Sequence, residues 1–177
     1  MDAVVCRAIA PLYASPEIGE LADEVLFGMT VRISGRQNGF CRVETGYRYT
    51  GWVPEECLLE CDANRWETAA RFQVSCGWAD VLDAPRVQGR RQADLPRGGR
   101  LCPDPARKEE NAWTPVLLPD GAAGWVPARC LERRPGDWHA QDPSALRRAL
   151  CDAARSYLGA QYRWGGKTVQ GVDCSGL

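Results

Sequence analysis

The sequence lacks what would draw it to a polyanion or a lipid bilayer. Its 22 Lys+Arg residues stand against 23 Asp+Glu, a formal net charge of −1, so no overall field favours nucleic acid or anionic lipid. Lysine itself is nearly missing: 20 of the 22 basic residues are arginine, scattered rather than blocked. No apolar run approaches the roughly 18 residues of a membrane span. Histidine occurs once, as His139, which removes the His-rich metal sites from consideration. The N-terminus, Met1-Asp2-Ala3-Val4-Val5-Cys6-Arg7, has neither a basic leader nor an apolar stretch. A cytoplasmic location is therefore expected, with an exported or cell-wall location as the alternative if a signal peptide has been removed. Oligomeric state is not legible.

What is present is ordinary globular material. At 177 residues, 45% hydrophobic and 25% charged, the chain has room for one or two domains and is neither disordered nor collagen-like. Its nine cysteines are many and odd in number, but a chain of this length needs no disulfide to hold a core. Reduced thiols are expected. Cys57 and Cys61 are spaced C-x-x-x-C, yet no second close pair follows, so no zinc site and no cofactor is expected.

The clearest pattern is an internal repeat. Gly51-Trp52-Val53-Pro54-Glu55-Glu56-Cys57-Leu58 recurs 73 residues later as Gly124-Trp125-Val126-Pro127-Ala128-Arg129-Cys130-Leu131. Upstream, Leu12-Tyr13-Ala14-Ser15-Pro16 resembles Val81-Leu82-Asp83-Ala84-Pro85 at an offset of 69; the four-residue slip belongs in loops. Thr30–Ser34 and Phe40–Glu44 alternate polar and apolar as half-buried strands do, with Gly35 to Gly39 as the turn between them. A unit of about 60 residues with several short strands closes most readily into a small barrel. Gly-Trp-Val-Pro then supplies a tight turn, an aromatic for the core and a proline that ends the strand. Cys57 and Cys130 share one repeat position and read as small buried residues.

These repeats resemble bacterial SH3-like domains, whose last strand commonly carries Gly-Trp-Val. The resemblance divides the chain into SH3-like domains at 1–62 and 63–133, a linker at 134–142, and a further unit at 143–177. In that last unit Asp142 suits an N-cap and Pro143 the first helical position. Leu146, Leu150, Ala153, Ala154, Tyr157 and Leu158 make one apolar stripe, and Gly159 is a stop. Because an isolated helix of about 15 residues is marginal in water and a wet apolar stripe is unfavourable, the stripe is expected to pack on the barrels, the favoured outcome, to pair with another copy or to stay partly disordered.

After the helix come Tyr162-Arg163-Trp164-Gly165-Gly166 and Gly171-Val172-Asp173-Cys174-Ser175-Gly176. Together they resemble the opening of the NlpC-type papain-like peptidases of bacterial cell-wall peptides, in which Cys174 takes the place of the nucleophile. A helix entry, with Asp173 as its cap, offers N–H groups and a positive dipole that favour a thiolate. The resemblance implies that Tyr162 lines the cleft, and that Asp173 and Ser175 bind the free amine of a stem peptide. It also implies that an acid and a tyrosine of the first barrel, Glu20 and Tyr49, close one end. The fold expected is mainly β: two SH3-like barrels, then the first helix and nucleophile segment of an incomplete α+β papain-like domain. The family's base is a histidine downstream of the cysteine. Here three residues follow Cys174, and His139 reads as a surface residue, so the chain is expected to be a fragment, inactive alone. The function implied is a γ-D-glutamyl–diamino acid endopeptidase acting on peptidoglycan stem peptides with free L-Ala. The alternative is a non-catalytic module that binds cell-wall peptide or glycan.

Overall fold

A computed structural model describes residues 1–134 and 142–177; His139 and most of the expected linker lie outside them. The chain is mainly β. The first antiparallel sheet contains β1 (Asp2–Val5), β2 (Ile9–Tyr13), β3 (Leu21–Leu26), β4 (Thr30–Gln37), β5 (Phe40–Thr45), β6 (Thr50–Pro54) and β7 (Leu58–Glu60). After helix α1 (Ala63–Ala69) the second follows: β8 (Phe72–Val74), β9 (Trp78–Leu82), β10 (Arg91–Pro96), β11 (Arg100–Pro103), β12 (Trp113–Leu117), β13 (Ala123–Pro127) and β14 (Leu131–Arg133). Strand orders are β3-β2-β6-β5-β4-β1-β7 and β10-β9-β13-β12-β11-β8-β14. Adding seven to each label of the first produces the second, so the sequence repeat is a repeat of topology.

Gly51 and Gly124 show why the shared motif needs glycine. A Cβ at Gly51 would stand 1.9 Å from Leu12 Cδ2, and one at Gly124 2.3 Å from Val81 Cγ1. At both places a neighbouring strand's side chain fills the space a Cβ would take. Period-2 alternation then sends Val53 and Val126, both fully buried, into the two cores. The tryptophans lie on the other face; Trp125 is buried there as expected, at 7% exposed, whereas Trp52 is only partly covered. They keep equivalent registers: Trp52 opposite Arg42 and Tyr13, Trp125 opposite Pro115 and Leu82. Their cover differs, because Arg107 stacks over Trp125 at 5.1 Å while Trp52 is half-exposed. Cys57 belongs to the first core and Cys130 packs against the second.

The β4–β5 turn is shorter than expected. β4 runs to Gln37, which pairs with Phe40, and only Asn38 and Gly39 turn, at φ of 52° and 78°. Asn-Gly suits a two-residue hairpin because both positions need positive φ. Gly35 falls instead at a register shift within the strand.

The two sheets are joined through α1 and the β3–β4 turn. Phe27, from the first repeat, is buried in the second core, and its carbonyl accepts from Arg100 N at 2.9 Å. Trp66 of α1 donates its indole N–H to the Gly28 carbonyl at 2.7 Å. Glu67 accepts from the Thr30 hydroxyl and pairs with Arg100 (2.7 Å) and Arg134 (2.9 Å). Arg134, expected to open the linker, thus belongs with the second sheet.

Helix α2 (Pro143–Arg155) begins as expected, with Asp142 accepting from Ala145 N at 2.9 Å. The chain leaves it through Gly159 at φ 89°. Its apolar stripe stays largely uncovered, although Tyr157 at its end is partly buried and donates its hydroxyl to the Lys167 carbonyl at 3.3 Å. No residue of α2 is buried, Leu150 is 58% exposed, and Leu158 just beyond is 82% exposed. What docks is the hairpin that follows, β15 (Lys167–Thr168) and β16 (Gly171–Val172). The reason is polar: the first sheet offers a buried acidic pair at its edge strand, and the hairpin brings the cations.

Candidate active site

Asp173 organises the Cys174 turn. Its Oδ1 accepts from Ser175 N (2.9 Å), Ser175 Oγ (2.8 Å) and Gly176 N (2.7 Å), and its Oδ2 accepts from Gly165 N (2.8 Å). The Ser175 hydroxyl above all, helped by the three N–H groups against the cost of burial, holds the Asp173 carboxyl below the ordinary aspartate value. Four hydrogen bonds take up most of the acceptor capacity of a carboxylate. The expected cap is therefore visible as geometry, on a turn over residues 174–176. Cys174 and Ser175 beside it are exposed, and Asp173 is buried.

Gly165 and Gly166 close the other side of the turn. Gly165 has φ +73°, and a Cβ there would lie 3.1 Å from both Asp23 N and Leu21 Cγ, so the loop lies directly on β3. The Gly166 carbonyl accepts from Asp173 N at 3.1 Å. Tyr162 bridges to Val172, two residues before Cys174, and its side chain is 68% exposed. Tyr162, Cys174 and Ser175 are thus exposed around one bridge between neighbouring segments, with Asp173 buried among them.

Glu20 and Tyr49 are exposed, and among the described residues no side-chain hydrogen bond or ion pair joins either to residues 160–177. The first sheet reaches the hairpin through Asp23, Glu24 and Tyr47 instead. Lys167 Nζ lies 2.8 and 2.9 Å from the Asp23 oxygens, 2.7 Å from Tyr47 Oη and 4.2 Å above the Tyr47 ring. Lys167 N donates to Glu24 Oε2 at 2.9 Å, and Arg163 stands 3.6 Å from Glu24 Oε1. Tyr47 Oη donates to Asp23 Oδ2 at 2.7 Å. Burial first, and the neighbouring Asp23 second, push the Tyr47 phenol well above its usual pKa, so it stays protonated. The legible signal was the strand Leu21-Ala22-Asp23-Glu24-Val25-Leu26: adjacent carboxylates in an apolar strand need partners.

A polar cleft of about 440 Å³, lined by residues including Asp2, Thr30, Arg32, Glu44, Arg48 and Asn64, contains none of the candidate residues. Among the described residues no group of three or more His, Cys, Asp or Glu could hold a metal ion. All nine thiols are free. Burial raises several of them, to about 11 for Cys57 and Cys102; Cys174 is exposed.

Comparison with known proteins adds independent findings. Residues 12–58 match the model of the bacterial dipeptidyl-peptidase SH3 domain. A protein named dipeptidyl-peptidase 6, from Lysinibacillus sphaericus, is 36% identical over 182 residues, covering 100% of this chain and 67% of that protein. The crystal structure of an NlpC/P60 family protein from Bacillus cereus superposes with a TM-score of 0.80 at 20% identity, covering 99% of this chain and 70% of that one. At that identity the superposition speaks for fold.

Proposed function

The chain belongs to the dipeptidyl-peptidase 6 family, and from that premise we propose that Cys174 is the nucleophile of a cysteine-type cell-wall peptidase. The substrate class is a peptidoglycan stem peptide with a free N-terminal L-Ala, cut between γ-D-Glu and the diamino acid. The two repeats are SH3-like domains in this reading, and 143–177 opens the peptidase domain. The observation that supports the proposal is the turn itself: an exposed thiol and an exposed hydroxyl follow a buried carboxylate that accepts four hydrogen bonds.

Roles follow from that geometry. A base takes the Cys174 thiol proton, the thiolate attacks the scissile carbonyl carbon, and the protonated base returns that proton to the amide nitrogen as the C–N bond breaks and the amine leaves. Water then cleaves the γ-glutamyl thioester. The Ser175 hydroxyl donates a hydrogen bond to Asp173, which leaves its oxygen lone pairs free to accept from the substrate ammonium. The Asp173 charge lies directly behind that oxygen. Tyr162 forms a wall of the cleft. The thiol proton requires a base, and the sequence's one histidine, His139, lies outside the described residues. No cofactor or metal enters these steps.

The test is affinity labelling with L-Ala-γ-D-Glu chloromethyl ketone, followed by mass mapping of the nine cysteines. Cys174 is expected to be labelled first, with saturation. Acetylating the probe's amine should slow that labelling about tenfold, the worth of one charge-assisted hydrogen bond. Labelling spread over the exposed thiols, or equal rates for both probes, would defeat the assignment. The rival, a binding module without chemistry, predicts that outcome.

A further inference from the structure

Lys167 is one of only two lysines in a chain with 20 arginines, and it makes more contacts between the first sheet and the hairpin than any other residue described above. Its ammonium lies against both Asp23 oxygens and the Tyr47 hydroxyl, 4.2 Å from the centre of the Tyr47 ring. A compact ammonium with three donors can serve all of these at once, whereas a planar guanidinium cannot. Asp23 and Glu24 are 7% and 4% exposed, so both carboxylates need the partners Lys167 brings through its side chain and its own N–H.

The hydrogen bonds continue towards the thiol. Gly165 and Gly166, the two residues before Lys167, hold Asp173 through Gly165 N to Oδ2 and Asp173 N to the Gly166 carbonyl. Asp173 in turn fixes Ser175 N and Gly176 N, the two amides that follow Cys174, so its carboxylate closes the turn that carries the thiol. The hairpin tip also meets the second repeat: a Cβ at Gly77 would lie 3.1 Å from Val169 Cγ1.

We infer that Lys167 is a positioning residue, and that its lock with Asp23 and Tyr47 makes the first sheet a structural support of the turn that carries Cys174. The lock rests on geometry alone; its catalytic meaning rests on the proposed role of Cys174. The barrel's acid and phenol are then engaged with the protein's own ammonium.

The 177-residue chain carrying Lys167→Met tests this, with hydrogen exchange and the chloromethyl ketone read on the same samples. Exchange at Gly165, Asp173, Ser175 and Gly176 should accelerate roughly tenfold or more, as expected when a buried charged hydrogen bond is lost. Amides of β4 and β5 should hold. The maximal labelling rate at Cys174 should fall about tenfold, while the half-saturating probe concentration stays within about twofold; a general loss of structure would not split them. Unchanged exchange overturns the lock, and faster exchange with unchanged labelling overturns the positioning role. If β4 and β5 also loosen, the unpaired Asp23 has disrupted the sheet. Tyr47→Phe then decides, since it removes one hydroxyl and keeps the ion pair: the same pattern at smaller amplitude supports the lock, and its absence overturns it. If the unmodified chain is not labelled at Cys174, the peptidase proposal fails, and the exchange data still decide the lock.

Discussion

At Glu67, burial and charge pull in opposite directions. Desolvation pushes its carboxyl upward, but the Thr30 hydroxyl and the Arg100 and Arg134 guanidinia outweigh it, and the folded value lies below that of an ordinary glutamate. A depressed folded value means the stabilisation is present above the unfolded value, near pH 4.3, and is lost as pH falls through the folded one. Glu67→Gln should therefore melt a few degrees below the parent at pH 7, roughly what 1 kcal/mol produces in a chain of this size. The gap should close as pH falls below about 4. Melting curves of both proteins between pH 7 and pH 3 check this, and a constant gap would contradict it. At the same scale, Asp173 was legible as a cap because Asp before a small-residue turn has few other uses. Asp23 and Tyr47 were not. Their partner Lys167 lies 144 and 120 residues away, and no local pattern connects residues so far apart.

Among the elements, α2 was the best anticipated and its environment the worst. Periodicity and the Asp142–Pro143 start come from contacts within one or two turns, so the sequence contains them. Whether the stripe is covered depends on surfaces elsewhere in the chain. The hairpin takes the polar edge of β3, and the helix stays outside. Leu150→Asp should consequently change stability by less than about 0.5 kcal/mol, the usual range for a surface substitution. A melting temperature lowered by several degrees would show that the stripe is packed. The β4–β5 hairpin teaches the opposite lesson. Asn38-Gly39 was there to be read as a two-residue turn, and the glycine at Gly35 drew attention away from it.

For the molecule as a whole, the connection between repeats matters as much as either sheet. Phe27 leaves the first repeat to fill the second core, and α1 is pinned to both by Trp66 and Glu67. Phe27→Ala should cost about 3–5 kcal/mol, as for other buried phenylalanines, and lower the melting temperature by on the order of 10 °C. Calorimetry should also separate one transition into two, since the side chain is shared by both repeats. A single transition at the parent temperature would mean that the repeats are not coupled through it.

The sequence by itself determined the β class, the duplication, the helix start at Asp142 and the cap at Asp173. Each is written in spacing or in neighbours a few residues apart, where backbone geometry leaves few choices. Tertiary structure alone decided which face Trp52 and Trp125 present, which acid and which tyrosine meet the Cys174 loop, and that the hairpin rather than the helix docks. The tryptophan faces depend on strands and loops outside the local motif, as Arg107 over Trp125 shows, and the docking of the hairpin on partners more than 100 residues away, as Lys167 is to Asp23. They are settled by burial: a carboxylate sealed at a sheet edge must find a cation, whereas a leucine stripe on a helix can remain wet at modest cost.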